Sequence, residues 1–189
     1  DFIRRKPEML PLIWVAFVCT FLGIPIIVFL PVFAKDVFGG NEATYTLLLS
    51  IEAVGAICGA LLVAARGKRS HIGRDSLLGL IALGVFEALF GFSRVLWMSL
   101  AFVFFGGMAL IACFALLSSL VQMVATDEMR GRVMSIYNIA FRGGMPIGSL
   151  VTGALAPVVG VPLLVGIYGI LLAALALYLL VVHRKLAAL

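Results

Sequence analysis

Three ionisable side chains lie deep inside long apolar stretches of the sequence: Glu52, Glu87 and Arg142. At about 1.5 Å of rise per helical residue, they lie roughly 13, 18 and 15 Å from one end of their stretches. All three would therefore fall in the central third of a hydrocarbon core about 30 Å thick. A charge facing lipid at that depth costs at least about 2.5–3.5 kcal/mol. We therefore expect each of them to face a water-filled cavity or an opposite charge.

The two glutamates are candidates for proton exchange. A carboxylic acid in a low-dielectric place favours its neutral form and can take up and release protons near neutral pH. The alternative is a structural role, as half of an ion pair or as a protonated, hydrogen-bonded acid. Glu52 shares a helix face with Gly55 and Gly59, and glycines flank Glu87 in the same way. Since small residues let helices approach closely, each glutamate is predicted on or beside a packing contact.

Arg142 belongs to a polar helix face. Residues at alternating three- and four-residue steps share one side of a helix, and the set here is Ser135, Asn138, Arg142, Met145, Ser149 and Thr152. Five of these six are polar or charged, so the face should contact water, a substrate or another polar helix. A purely structural alternative pairs Arg142 with a carboxylate, and Glu52 and Glu87 are the only deep carboxylates of the chain. A partner outside this chain is a further possibility.

The composition is that of a membrane protein, in which the few charged side chains within apolar runs stand out. Of 189 residues, 63% are hydrophobic and 12% are charged, against about 25% charged in soluble domains. Six apolar runs are long enough to cross a bilayer, for which about 20 residues are needed. They cover residues 11–34, 43–65, 75–93, 96–123, 132–157 and 161–182. The predicted fold class is all-α, a polytopic membrane protein with six transmembrane helices.

The distribution of basic residues predicts the orientation. Lys and Arg concentrate in cytoplasmic loops. With the N-terminus inside, eleven basic residues fall on the cytoplasmic side and only Lys35 and Arg94 on the other. The predicted organisation is a cytoplasmic linker at 1–10, a six-helix transmembrane domain at 11–183 and a cytoplasmic tail at 184–189. The charge of +5 follows this topological pattern, so nucleic acid is not an expected partner.

Two cytoplasmic loops and one span carry motifs. Gly59, Leu61, Gly67, Lys68 and Arg69 follow the order of a loop signature whose usual acidic position holds Val63. A second loop has Arg130-Gly131-Arg132 preceded by Asp127 and Glu128, and the fifth run carries Gly144, Pro146, Gly148 and Gly153. In this order on six spans, the motifs resemble the C-terminal half, spans seven to twelve, of a major facilitator superfamily transporter, in the drug and siderophore efflux branch that includes the enterobactin exporter.

The resemblance implies half of a major facilitator fold, built from two inverted three-helix repeats. It implies a secondary transporter in the bacterial inner membrane, most simply a proton-coupled exporter, an antiporter of amphipathic small molecules that works by alternating access. The expected partners are the lipid bilayer, the small-molecule substrate, protons, and an N-terminal six-helix half of the same transporter or a second copy. The rival hypothesis is a six-span scaffold or accessory subunit without transport activity.

The remaining candidates follow from these motifs. Lys68, Arg69, Asp127, Arg130 and Arg132 are candidates for a cytoplasmic gating loop, unless they only set the topology and contact lipid headgroups. Asp127 could cap a short cytoplasmic helix. We expect Gly55, Gly59, Gly144, Pro146 and Gly148 to act in helix packing or helix breaks. No catalytic, metal-binding or cofactor site is expected, because no phosphate-binding loop or metal-ligand spacing occurs; the chain should not be an enzyme.

Overall fold

A computed structural model describes residues 9–65 and 71–182, which form six long helices. All six are long and apolar enough to span a membrane. They are α1 (Met9–Val37), α2 (Glu42–Ala65), α3 (Ile72–Phe92), α4 (Leu96–Val124), α5 (Arg130–Val159) and α6 (Val161–Val182). The predicted all-α class and all six predicted spans are confirmed, with boundaries that differ by a few residues.

Helix α1 is broken. It is α-helical over Met9–Gly23 and Pro25–Val32, and it ends in a π-helical segment at Phe33–Val37. The break lies at Ile24, where Pro25 has no N–H to bond the carbonyl of the preceding turn. The Ile24 N–H still reaches the Thr20 carbonyl, at a long 3.4 Å. This break lies in the middle of the first span, beside the cavity described below.

The helix contacts follow an inverted repeat. The main pairs are α2 with α4, α1 with α5, α3 with α4, and α3 with α6. In an inverted repeat of three helices, α1 corresponds to α4, α2 to α5 and α3 to α6. Under this correspondence the α2–α4 pair becomes the α5–α1 pair. The correspondence leaves the α3–α6 pair unchanged. These pairs indicate two related three-helix units, α1–α3 and α4–α6, as in half of a major facilitator fold, although the α3–α4 pair has a much weaker counterpart in α6 with α1.

Burial is uneven among the six helices. Helices α2 and α5 are the least buried, whereas α1, α3, α4 and α6 supply most of the core. The core of α3 and α6 is an antiparallel contact in which Gly84 packs against Gly169 and Gly91 against Gly166. Because glycines let these two backbones meet, α3 and α6 form the rigid back of the molecule. Helices α2 and α5 lie at its opposite flanks, each held mainly by one neighbour.

Candidate proton-coupling and transport sites

Helix α2 packs on α4 through two glycines of the sequence prediction. A Cβ atom on Gly55 would overlap the carbonyl oxygen of Phe104, and one on Gly59 would overlap that of Met108. The contact advances four residues on both helices, so α2 and α4 run parallel. Close backbone approach of this kind is the usual role of small-xxx-small pairs in membranes. It holds α2 at a fixed rotation and thereby decides where Glu52 points.

Helix α5 packs on α1 in the equivalent way. A Cβ atom on Gly144 would overlap the Thr20 hydroxyl, and one on Gly148 would overlap the carbonyl oxygen of Phe21. Pro25 cannot donate to that Phe21 carbonyl, so Gly148 packs on a carbonyl next to the break in α1. The Thr20 hydroxyl is itself satisfied, because it donates to the carbonyls of Ala16 and Phe17 at 3.2 and 2.9 Å.

Glu52 and Glu87 line the same internal cavity. It lies where α1, α2, α3 and α4 meet, and every other lining residue is apolar or glycine. The volume open to the centre of a water molecule is about 20 Å³, enough for roughly one water. Glu52 is half-buried, and its Oε1 lies 3.2 Å from where a Cβ of Gly107 would be. The two candidate glutamates therefore belong to one site.

Glu87 is almost completely enclosed. Its side chain is 2% exposed, and neither carboxylate oxygen has a hydrogen-bond partner within the described structure. Gly23, just before the break in α1, lies beside it: a Cβ there would be in ordinary contact with the Glu87 Oε2, at 3.9 Å. Burying an ionised carboxylate without donors is so costly that such a group holds a proton or acquires water. This arrangement does not match the structural alternative of an ion pair.

Arg142 does not meet either glutamate. Its side chain is exposed on the outer side of α5, and none of the carboxylates in residues 9–65 and 71–182 lies within ion-pair distance. The hypothesis that Arg142 pairs with Glu52 or Glu87 is therefore wrong. The physical reason is the Gly144–Gly148 contact: it turns the glycine side of α5 towards α1, which leaves Arg142 on the opposite side.

The polar face of α5 is divided along its length. Ser135, Asn138, Arg142 and Met145 are exposed, whereas Thr152 is fully buried. The Thr152 hydroxyl donates to the Gly148 carbonyl at 2.7 Å and lies 3.3 Å from the Tyr168 hydroxyl on α6. The prediction of one continuous face open to water or substrate therefore fails at Thr152. We call the exposed part, Ser135 to Met145 at helical spacing, the polar stripe.

Next to the polar stripe runs an apolar one. Ile136, Ile139, Ile147 and Leu150 recur at helical spacing on the exposed side of α5, and Ile139 and Leu150 are 73% and 74% exposed. The exposed side of α2 carries the apolar residues Val54, Ile57 and Leu61, with Thr46 and Ser50 nearer the start of the helix. Pro146 lies within α5, so the Arg142 carbonyl has no N–H to accept from four residues ahead. Exposed polar groups thus occupy the first half of α5, up to its middle.

The loop before α5 contains a surface ion pair. The Arg130 guanidinium lies 2.7 Å from the Asp127 carboxylate, and both side chains are largely exposed. Helix α5 begins at Arg130 and has no side-chain N-cap, so the prediction that Asp127 caps a helix is wrong. Exposed pairs contribute about 0–1 kcal/mol. Arg132 is exposed, and Lys68 and Arg69 lie outside the described residues.

Two features of the site have no clear signal in the sequence. Gly23, Gly106 and Gly107 shape the cavity, yet nothing in their spacing indicates it. The Thr152–Tyr168 contact joins α5 to α6, and Tyr168 is indistinguishable from its apolar neighbours by pattern alone. Both depend on which sides of different helices meet, and only the break signal Gly23-Ile24-Pro25 is visible in the sequence.

The fold and the six spans define an integral membrane protein. A comparison with protein families identifies it further: the family model described as transmembrane secretion effector matches residues 2–188. The chain belongs to this family of the major facilitator superfamily, whose members are membrane transporters with a role in efflux. No curated protein matches the chain.

Proposed function

We propose that the chain is the C-terminal six-helix half of a proton-coupled exporter of amphipathic small molecules. In the proposed transporter, α5 and α2 face an N-terminal half across the transport pathway. The polar stripe of α5 lines that pathway near its middle, where Arg142 contacts water or an anionic group of the substrate. Both termini lie in the cytoplasm, and the membrane is the bacterial inner membrane.

The exposed position of Arg142 carries this proposal. An arginine cannot shed its charge, and exposure to lipid at mid-span costs at least about 2.5–3.5 kcal/mol. A helix with Asn138, Arg142 and Ser135 on its outer side is therefore poorly suited to face lipid. A water-filled pathway removes this cost, and the second six-helix unit of a major facilitator fold supplies the other wall of such a pathway.

The efflux of amphipathic compounds fits the neighbouring surfaces. The polar stripe and the apolar stripe lie side by side on α5, so one molecule crossing the pathway meets both a charged group and aliphatic side chains. Alternating access then consists of one half rocking against the other around this face. The Asp127–Arg130 pair and Arg132 lie at the end of α5 where the two halves would close on the cytoplasmic side.

The test is efflux from vesicles that contain the complete transporter, driven by an imposed proton gradient. Arg142→Lys keeps the charge but loses the planar fork of donors, so it should reduce efflux, and Arg142→Ala should abolish it. Because Arg142 has no partner carboxylate in the described structure, neither change should destabilise the folded protein. The matched control is Arg94→Ala, which removes an exposed arginine from the α3–α4 connection.

The rival scaffold function predicts a different result. If the chain is a six-span accessory subunit, neither wild type nor any variant shows gradient-driven efflux. The effect of Arg142→Ala can then be measured only on the association of the subunit with its partner. If efflux persists unchanged in Arg142→Ala, the polar stripe does not line the pathway. If two copies of this chain alone suffice for efflux, the opposing wall is a second copy.

A further inference from the structure

We propose that Glu52 and Glu87 form a two-carboxylate proton relay through the cavity between α1, α2, α3 and α4, with Glu52 as the entry group and Glu87 as the buried storage group. The inference rests on the proposed proton coupling and adds where the proton is held. It places that site away from the polar stripe of α5, on the other side of α1.

The size and lining of the cavity identify its ligand. Sites for drug-sized molecules have volumes of about 300–1,000 Å³, whereas this cavity offers about 20 Å³ to water centres. A hard metal cation takes about six to eight oxygen ligands, and the lining side chains provide only the two carboxylates. One water and a mobile proton fit both the volume and the available groups.

The two carboxylates differ in the way that a relay requires. Glu87 is 2% exposed and has both oxygens unpartnered, so its ionised form has no donor to stabilise it. Glu52 is half-buried on the least buried flank of the fold, so it can exchange protons with the outside. Both carboxylates line the cavity, and a water molecule entering it accepts a proton from one group and donates one to the other.

The proton step is balanced within this set. Protonated Glu52 gives its proton to the cavity water, and the hydronium formed gives a proton to a carboxylate oxygen of Glu87. Glu52 is left ionised and is reprotonated from outside, and the water is regenerated. Within the described part of the chain, the thiol of Cys19 on α1 is a further titratable group that interacts with Glu87. Among the described residues, the cavity lining contains no Lys, Arg or His.

The position of Glu87 also connects the relay to α5. The Glu87 Oε2 lies beside Gly23, next to the break in α1, and the same stretch of α1 packs through Phe21 against Gly148 of α5. A change in the charge of Glu87 therefore acts on the stretch of α1 that packs against α5.

The test is infrared difference spectroscopy of the complete protein in lipid vesicles after a pH jump, without substrate. Wild type should show a protonated-carboxyl C=O band that shifts in D₂O and titrates, and Glu87→Gln should remove it. Glu52→Gln should keep the band but slow its appearance by about a hundredfold, the lower figure for a positioned proton-transfer group. The control is Glu42→Gln, an exposed carboxylate at the start of α2, which should change nothing.

A second pair of variants tests the cavity without altering a carboxylate. Gly106 lines the cavity, and a Cβ there meets only Phe86, at 3.9 Å. Gly106→Ala should therefore fold, exclude the water and slow protonation of Glu87. Gly79→Ala adds a methyl group on α3 in ordinary contact with Cys113, outside the cavity, and should not.

The outcomes separate this inference from the proposed function. If neither Glu52→Gln nor Gly106→Ala changes the rate, or if the Glu87 band does not titrate, the relay is refuted even when the transporter exports its substrate along a proton gradient. If the band behaves as expected but no gradient drives efflux, the relay stands and the proposed export function fails.

Discussion

Helices α2 and α5 occupy corresponding positions in the two halves of the inverted repeat, but their charged side chains point in opposite directions. Both are little buried, and both pack on a parallel neighbour through two glycines four residues apart. On α2 the glycine side also carries Glu52, which turns towards α4 and the cavity. On α5 the glycines lie opposite Arg142, which turns outwards. The direction of a charged side chain is thus set by its angular offset from the glycines.

The difference shows how one scaffold can hold two kinds of polar site. A charge on the glycine side of a flank helix enters the interior of the six-helix unit, where it needs a proton or water. A charged side chain on the opposite side points out of the six-helix unit, where it needs a water-filled pathway bounded by a second unit. The repeat supplies the packing, and a shift of one or two residues along the helix decides which site is formed.

The largest expected effect tests the inverted arrangement of the two helices. Helix α2 should begin on the outside and α5 on the inside, so cysteines at Asn41 and Glu128 should react with a membrane-impermeant thiol reagent from opposite sides of the membrane. The measurement is labelling of intact cells and inside-out vesicles. Reaction of both positions from the same side would falsify the orientation and the inverted repeat together.

The next largest effect is expected on the free energy of unfolding, when the glycine contacts are altered. Gly55→Leu and Gly148→Leu each place a side chain against a backbone carbonyl, and we expect a loss of about 1–3 kcal/mol or more from overpacking. Thermal unfolding in detergent measures it. Gly143→Leu is the matched control, since nothing lies within 4 Å of a Cβ there. A loss at only one of the two contacts would show that the repeats are not held equally.

The outer face of α5 should also differ from a lipid-facing side of the molecule, on α3, in its access to water. A cysteine at Asn138 on the polar stripe should react quickly with a water-soluble maleimide, because a thiol reacts as the thiolate, which forms in water. A cysteine at Val85, on the exposed apolar side of α3 away from the proposed pathway, should react slowly. The background is a variant with Cys19, Cys58 and Cys113 replaced by Ala. Equal rates of modification at both positions would show that the two faces do not differ in their access to water.

The smallest expected effect concerns the attachment of α5 to α6. Tyr168→Phe removes the hydroxyl that meets Thr152 and should cost about 0.6 kcal/mol, the typical worth of a hydrogen bond between membrane helices. Unfolding by denaturant in detergent measures it. Combining Tyr168→Phe with Thr152→Val gives the coupling energy of the pair, and a value of zero would mean that the contact does not hold α5.

How far the candidate site could be predicted differs between its parts. The depth of Glu52, Glu87 and Arg142 follows from counting residues along apolar runs, and the glycines at four-residue spacing indicate close contacts. The spacing of the glycines does not predict which helix each of them packs against. Arg142 shows the consequence: helical spacing predicts one face for its polar neighbours, but α6 covers Thr152, whereas Asn138 is exposed.

The sequence by itself determined the membrane class, the number of spans and their boundaries within a few residues. The physical reason is that lipid admits only long apolar segments whose backbone is bonded internally, and such segments are visible along the chain. Only the tertiary structure decided that Glu52 and Glu87 share one cavity and that Arg142 lies outside it. Those relations depend on the rotation of each helix about its axis, which is set where glycines meet carbonyls on another helix, far away in sequence.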